Sequence, residues 1–178
     1  MIRRAWPALV LAAAACDPIP SPPGPTPEPP RIASAVPGAR NIECAGAEAH
    51  VLTTISPAAD DLVVGSITWP GLRSWATANP KDFGDPATGD YKIGAEVRGG
   101  ATVTVSIPAG HRDAAGLEYG QGWQYSPTPT VTFHGCAGHD TAYIGGFHVA
   151  SRRCVPLDIS EPGRPPTRVT VSFFAGAC

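Results

Sequence analysis

His134, His139, Asp140 and His148 fall in one short stretch, VTFHGCAGHDTAYIGGFHVA. Imidazole nitrogens and carboxylates are ligands that zinc and copper sites use, and imidazole is the side chain that changes charge near neutral pH. To act together these groups must be brought to one face. A hairpin that pairs Phe133 with Phe147 and Val131 with Val149 would stack four apolar side chains on one side. Its other face would carry Thr132, His134 and Cys136 on one strand, and Ile144, Gly146 and His148 on the other. His134 and His148 would then be diagonal neighbours about 7–8 Å apart, with His139 and Asp140 in the turn. A metal site wants three or four ligands at fixed distances with outer support, and this spacing matches no recognised ligand pattern. The competing reading is the ordinary one, polar residues on the solvent face of a half-buried hairpin. The expectation is therefore no cofactor and no catalysis. A metal-handling or enzymatic alternative would rest on His134, His139 and His148.

Other chemistries find less support. There is no G-x-S-x-G, so a nucleophile elbow is not indicated, and no CxxC to suggest a redox pair or zinc knuckle. The stretch KDFGDPATGDYK groups Asp82, Asp85 and Asp90, with Asp60 and Asp61 elsewhere. The calcium-loop spacing is absent, and Asp before Pro or Gly is a turn former. Tyr119, Trp123 and Tyr125 in LEYGQGWQYSPTP could form a platform for a sugar or peptide, or pack in the core as a tyrosine corner does.

The cysteines say more. The chain opens MIRRAWPALVLAAAAC: Arg3 and Arg4, then an apolar run from Ala5 to Ala15. That run is shorter than the about 20 residues a permanent membrane helix needs. Small residues Ala13, Ala14 and Ala15 running into Cys16 resemble the lipobox of bacterial prolipoproteins, although leucine is commoner where Ala13 stands. The resemblance implies cleavage before Cys16, a thioether-linked diacylglycerol on it and an acylated new N-terminus. The alternative is an ordinary secretory signal cut after Ala-x-Ala. If Cys16 carries lipid, the five cysteines leave Cys44, Cys136, Cys154 and Cys178, an even set for two disulfides in an oxidising compartment.

From Asp17 to Arg31, eight of fifteen residues are proline. Such a segment cannot bury enough surface to fold and favours polyproline II, at roughly 3.1 Å per residue a semi-rigid stalk of about 45 Å. The expected organisation is a signal peptide over 1–15, a lipidated cysteine and proline-rich linker over 16–31, and one domain over 32–178.

In that domain short alternating runs recur: AHVLTTI, DLVVGSITW, YKIGAEV, TVTVSI, TVTFHG, AYIGGFHV, CVPLDI and RVTVSFF, separated by Gly, Pro and Asp clusters. The pattern predicts an all-β, antiparallel β-sandwich (Ig-like or jelly-roll-like), with GLRSWATA making at most a turn or two of helix. In YKIGAEVRGGATVTVSI a three-residue Gly99-Gly100-Ala101 loop would set Val97 opposite Val103 and Ile93 opposite Ile107. Following the strands up and down places Cys154 and Cys178 at one end, which predicts Cys154–Cys178 and leaves Cys44, read as preceding the first strand, for Cys136.

The stretches GLRSWATANPKDFGD, YKIGAEVRGGATVTVSI, RRCVPLDI and RVTVSFFAGAC resemble uncharacterised actinomycete secreted proteins and lipoproteins. The resemblance implies an envelope location and a β domain, and it carries over no functional residues. The 13 basic and 15 acidic residues give a net charge of −2 with no basic run, so nucleic acid is a poor partner. The expected protein is held at the extracytoplasmic face of the cell membrane by its lipid and acts as a binding or structural module toward an envelope ligand or protein.

Overall fold

The computed structural model describes residues 38–120 and 127–178. The strands are β1 (Ala39–Ile42), β2 (Ala49–Leu52), β3 (Leu62–Val64), β4 (Ile67–Trp69), β5 (Gly84–Asp85), β6 (Asp90–Lys92) and β7 (Ala95–Val97). They continue as β8 (Thr102–Ser106), β9 (Ala115–Leu117), β10 (Thr130–His134), β11 (Asp140–Tyr143), β12 (Gly146–Val149), β13 (Arg153–Ser160) and β14 (Thr167–Phe173). Three short 3-10 turns, Leu72–Ala76, Pro80–Asp82 and Ala109–His111, interrupt them. The hydrogen-bonded order is β1-β10-β8-β13-β14 in one sheet, β2-β11-β7-β4-β3 in a second and β5-β6-β12-β9 in a third.

The second and third sheets are one interrupted layer. Thr141 lies opposite Val97 and Tyr143 opposite Ala95 in one, while Gly146 lies opposite Lys92 and His148 opposite Asp90 in the other. The register does not change between them, so residues 90–97 and 141–148 form a single antiparallel ladder with a break at Ile93-Gly94 and Ile144-Gly145. The Ile93 amide donates to the Gly145 carbonyl across that break at 3.0 Å. Odd-numbered residues of the ladder face the core: Tyr91, Ile93, Ala95, Val97, Tyr143 and Phe147 are all buried. Against them the first sheet presents Phe133 and Phe173, which meet Tyr143 and Phe147 with ring centroids 5.4 and 5.1 Å apart. Trp75, on the 3-10 turn, stacks on Phe174 at 5.3 Å and lies edge-on to Phe173 at 6.0 Å, closing one end of the core. Phe174 is the one non-glycine residue with positive φ (61°) among the described residues, a conformation disfavoured for a side chain that the buried ring contacts offset. The result is an all-β sandwich.

Both hairpins expected from the sequence have the right inward residues and the wrong partners. Val97, Val103 and Ile107 are fully buried, but β7 lies between β11 and β4 while β8 lies between β10 and β13. The turn closed by the Ala101 amide on the Arg98 carbonyl (3.0 Å) passes the chain from one layer to the other. Likewise Phe133 is opposite Val103 and Phe147 is opposite Tyr91 and Leu117, so neither pairs with the other. Alternation states which side of a strand faces the core; facing across a sandwich satisfies it as well as lying side by side.

Disulfides join Cys44 to Cys136 (Cα atoms 4.9 Å apart) and Cys154 to Cys178 (5.9 Å). Cys44 follows a strand rather than preceding the first one. β1 runs parallel to β10, with Ile42 opposite Phe133, so the residues just beyond both strands emerge at the same end. β13 and β14 are antiparallel, with Arg153 opposite Phe173, which brings the start of one to the end of the other.

Candidate functional site

The three histidines singled out in the sequence sit in separate surroundings. His134 ends β10 in the first sheet, its Nδ1 3.4 Å from Thr102 Oγ1 and its Nε2 3.9 Å from the exposed Glu43 carboxylate. His139 precedes β11 beside the Cys44–Cys136 disulfide, and its buried Nε2 has no hydrogen-bond partner among the described residues. The two sulfurs there are bonded to each other and are not thiolate ligands. His148 lies on β12, in the opposite layer from His134. The proposed convergence depended on pairing residues 131–136 with 144–149, and that hairpin does not form.

A different group does converge, and it includes His148. Asp90 on β6 and His148 on β12 are directly opposite each other on the outward, even-numbered face of the ladder. The His148 Nδ1–H donates to Asp90 Oδ1 at 2.8 Å. On the other flank of β12, β9 brings in Glu118, immediately after Leu117. Its backbone exchanges two hydrogen bonds with Gly146, N–H to carbonyl at 2.9 Å and carbonyl to N–H at 3.2 Å. Gly146 stands between the outer strands and offers no side chain, so Glu118 reaches toward its neighbours. One donor atom each from Asp90, Glu118 and His148 lie within 4.8 Å of one another.

The site is half closed. Glu118 is 1% exposed, while the side chains of Asp90 and His148 are 15% and 28% exposed. Burial and then the neighbouring Asp90, through its charge and a shared hydrogen bond, push the Glu118 carboxyl up to about 8, against the pull of the Arg40 guanidinium. Burial would raise Asp90 as well, but hydrogen bonds from His148, Thr88 and Glu118 outweigh it and hold that carboxyl below its usual range. At neutral pH the group is therefore a protonated Glu118 donating to an ionised Asp90 that also accepts from His148. Two carboxyls held apart in protonation state, beside an imidazole, are the elements of acid–base chemistry and equally of metal ligation.

The remaining sequence candidates play structural parts. The Asp85 carboxylate accepts from the Ala87 amide (2.9 Å), and Asp61 accepts from the Ala58 and Gly71 amides (2.8 and 2.7 Å), the turn chemistry expected of them. Asp82 ends the 3-10 turn Pro80–Asp82, and Asp60 is exposed. Asp140 ties two loops together, accepting from the Ile55 amide at 2.7 Å and the Gly99 amide at 2.9 Å, with Arg98 at 3.5 Å. Tyr119 is a core residue whose hydroxyl donates to the Ile93 carbonyl at 2.9 Å. Trp123 and Tyr125, like Cys16, lie outside the described residues. A surface hollow of about 230 Å³ is lined by Leu62, Leu72, Val171 and Cys178 among others, and an open one of about 630 Å³ by Ala76, Arg152 and Phe174 among others; none of these residues belongs to the Asp90, Glu118 and His148 group.

No protein-family model matches this chain, and no curated protein matches it.

Sequence reasoning missed Glu118 altogether and placed Asp90 with the turn formers. The available signal was an acidic residue set among Ala, Gly, Leu and Tyr in AAGLEYG, where a solvated loop would carry more polar neighbours.

Proposed function

We propose that this protein is a lipid-anchored extracytoplasmic protein whose β-sandwich serves as a binding or structural module of the cell envelope. The observation that carries the reading is the cysteine account. Cys44–Cys136 and Cys154–Cys178 engage four of the five cysteines, and the one left over is Cys16, where small residues following an apolar run meet a cysteine. Disulfides of this kind persist in oxidising compartments, which supports export. A diacylglyceryl thioether and an amide-linked acyl chain on Cys16 supply the two or more chains that stable membrane residence needs. The proline-rich segment then acts as the spacer between bilayer and domain.

Replacing Cys16 with Ser is expected to abolish incorporation of labelled fatty acid and to move the protein from the detergent phase to the aqueous phase on phase separation. Wild-type protein that partitions into the aqueous phase, unlabelled, would contradict the anchor.

A further inference from the structure

We propose that Asp90, Glu118 and His148 bind a divalent transition-metal ion of the zinc type, with water completing its coordination. Three observations carry this. Two donors stand on the directly paired strands β6 and β12, and Glu118, the residue just after β9, is held to Gly146 of β12 by two backbone hydrogen bonds, so the sheet fixes where all three backbones sit. One donor atom from each lies within 4.8 Å of the others. Two ligands on a tetrahedral ion with bonds of about 2.0–2.1 Å are separated by about 3.3 Å, so side-chain adjustments alone bring the set onto one centre. In particular, the 2.8 Å contact of His148 with Asp90 opens by about half an ångström when an ion takes the place of the shared proton.

The second observation is the state of one donor's second oxygen. Glu118 is 1% exposed, yet its Oε2 is buried without a hydrogen-bond partner among the described residues. A buried carboxyl oxygen left unsatisfied is costly, and such groups in native structures call for an explanation such as an ion. The third is the donor chemistry. One imidazole nitrogen with two carboxylate oxygens suits zinc and its first-row neighbours, whereas calcium takes six to eight oxygens and magnesium keeps to oxygen and water. The partly exposed edges of His148 and Asp90 leave a way in for the ion and room for its water. The ion balances two carboxylates, with the Arg40 guanidinium near enough to Glu118 to oppose it slightly. The inference does not depend on the lipid anchor, and each stands if the other fails.

The experiment is a titration of the full chain, purified in detergent and stripped with chelator, with Zn²⁺ and with Co²⁺, whose absorption reports coordination. Glu118→Gln is the diagnostic variant, since the amide can still hydrogen-bond to Asp90 but is a poor metal ligand. Cooperative metal-free thermal unfolding of both proteins is the check that the variant folds. Saturable binding at one equivalent that Glu118→Gln weakens by about tenfold or more is the expected result, the loss a supporting residue alone would produce at a minimum. A His134→Ala, His139→Ala double variant should bind as the wild type does. Titrations that do not saturate, or a smaller effect of Glu118→Gln, or loss of binding in the double variant, would overturn the proposal.

Discussion

Glu118, Asp90 and His148 show how a buried carboxyl is kept tolerable in the metal-free chain. Placed beside an ionised Asp90 and under nearly complete cover, Glu118 retains its proton to about pH 8, whereas an unfolded glutamate loses it near 4.3. Between those values the folded chain holds a proton the unfolded chain lacks. Stability contributed by this group is therefore full below about pH 4.3 and falls as pH rises toward 8, by at most about 1.4 kcal/mol per pH unit. Urea midpoints measured in chelator should be lower at pH 8 than at pH 6, and Glu118→Gln should remove that slope. A wild-type midpoint that rises over this interval would mean that Glu118 is ionised in the fold. Asp90, held below the usual carboxylate range, stays ionised across this interval.

Gly145 is what lets β9 meet the ladder. A Cβ there would lie 2.3 Å from the Tyr119 ring and 2.6 Å from the Glu118 carbonyl oxygen, and backbone cannot yield as a side-chain tip does. Gly145→Ala should destabilise the fold by about 1–3 kcal/mol, the cost of overpacking a filled core, and should displace Glu118. Chemical denaturation reads the first effect, and loss of the pH slope described above reads the second. An alanine variant of wild-type stability would place the break in the ladder elsewhere. This junction also marks where reading the sequence stopped working. The alternating runs were legible, down to the inward set of Tyr91, Ile93, Ala95, Val97, Val103, Val105 and Ile107, because burial of one face leaves a period of two. Partner choice was not, because period two is the same whether Phe133 faces Phe147 along a sheet or Val103 does. β1 and β9, in ARNI and AGL, carry too little apolar pattern to stand out, and without β9 there was no reason to bring Glu118 to His148.

The two disulfides constrain the domain unequally. Cys44 and Cys136 are 92 residues apart and tie the start of the domain to its centre, while Cys154 and Cys178, 24 apart, close only the final hairpin. On loop-closure entropy the longer bridge restricts the unfolded chain by about 4.6 kcal/mol and the shorter by about 3.5 kcal/mol. A Cys44→Ala, Cys136→Ala variant should thus lose about 1 kcal/mol more stability than a Cys154→Ala, Cys178→Ala variant in urea denaturation. The reverse order would show that local strain or residual structure outweighs chain entropy. The same bonds carry the larger claim, since using four cysteines in pairs leaves Cys16 as the odd one. Mass measurement of the mature protein from the envelope, alkylated without reduction, addresses it directly. The account predicts a chain beginning at Cys16, heavier by a diacylglyceryl group and an acyl chain, with no alkylated thiol. An unmodified N-terminus at Asp17 or upstream of Cys16, or an alkylated Cys16, would contradict it.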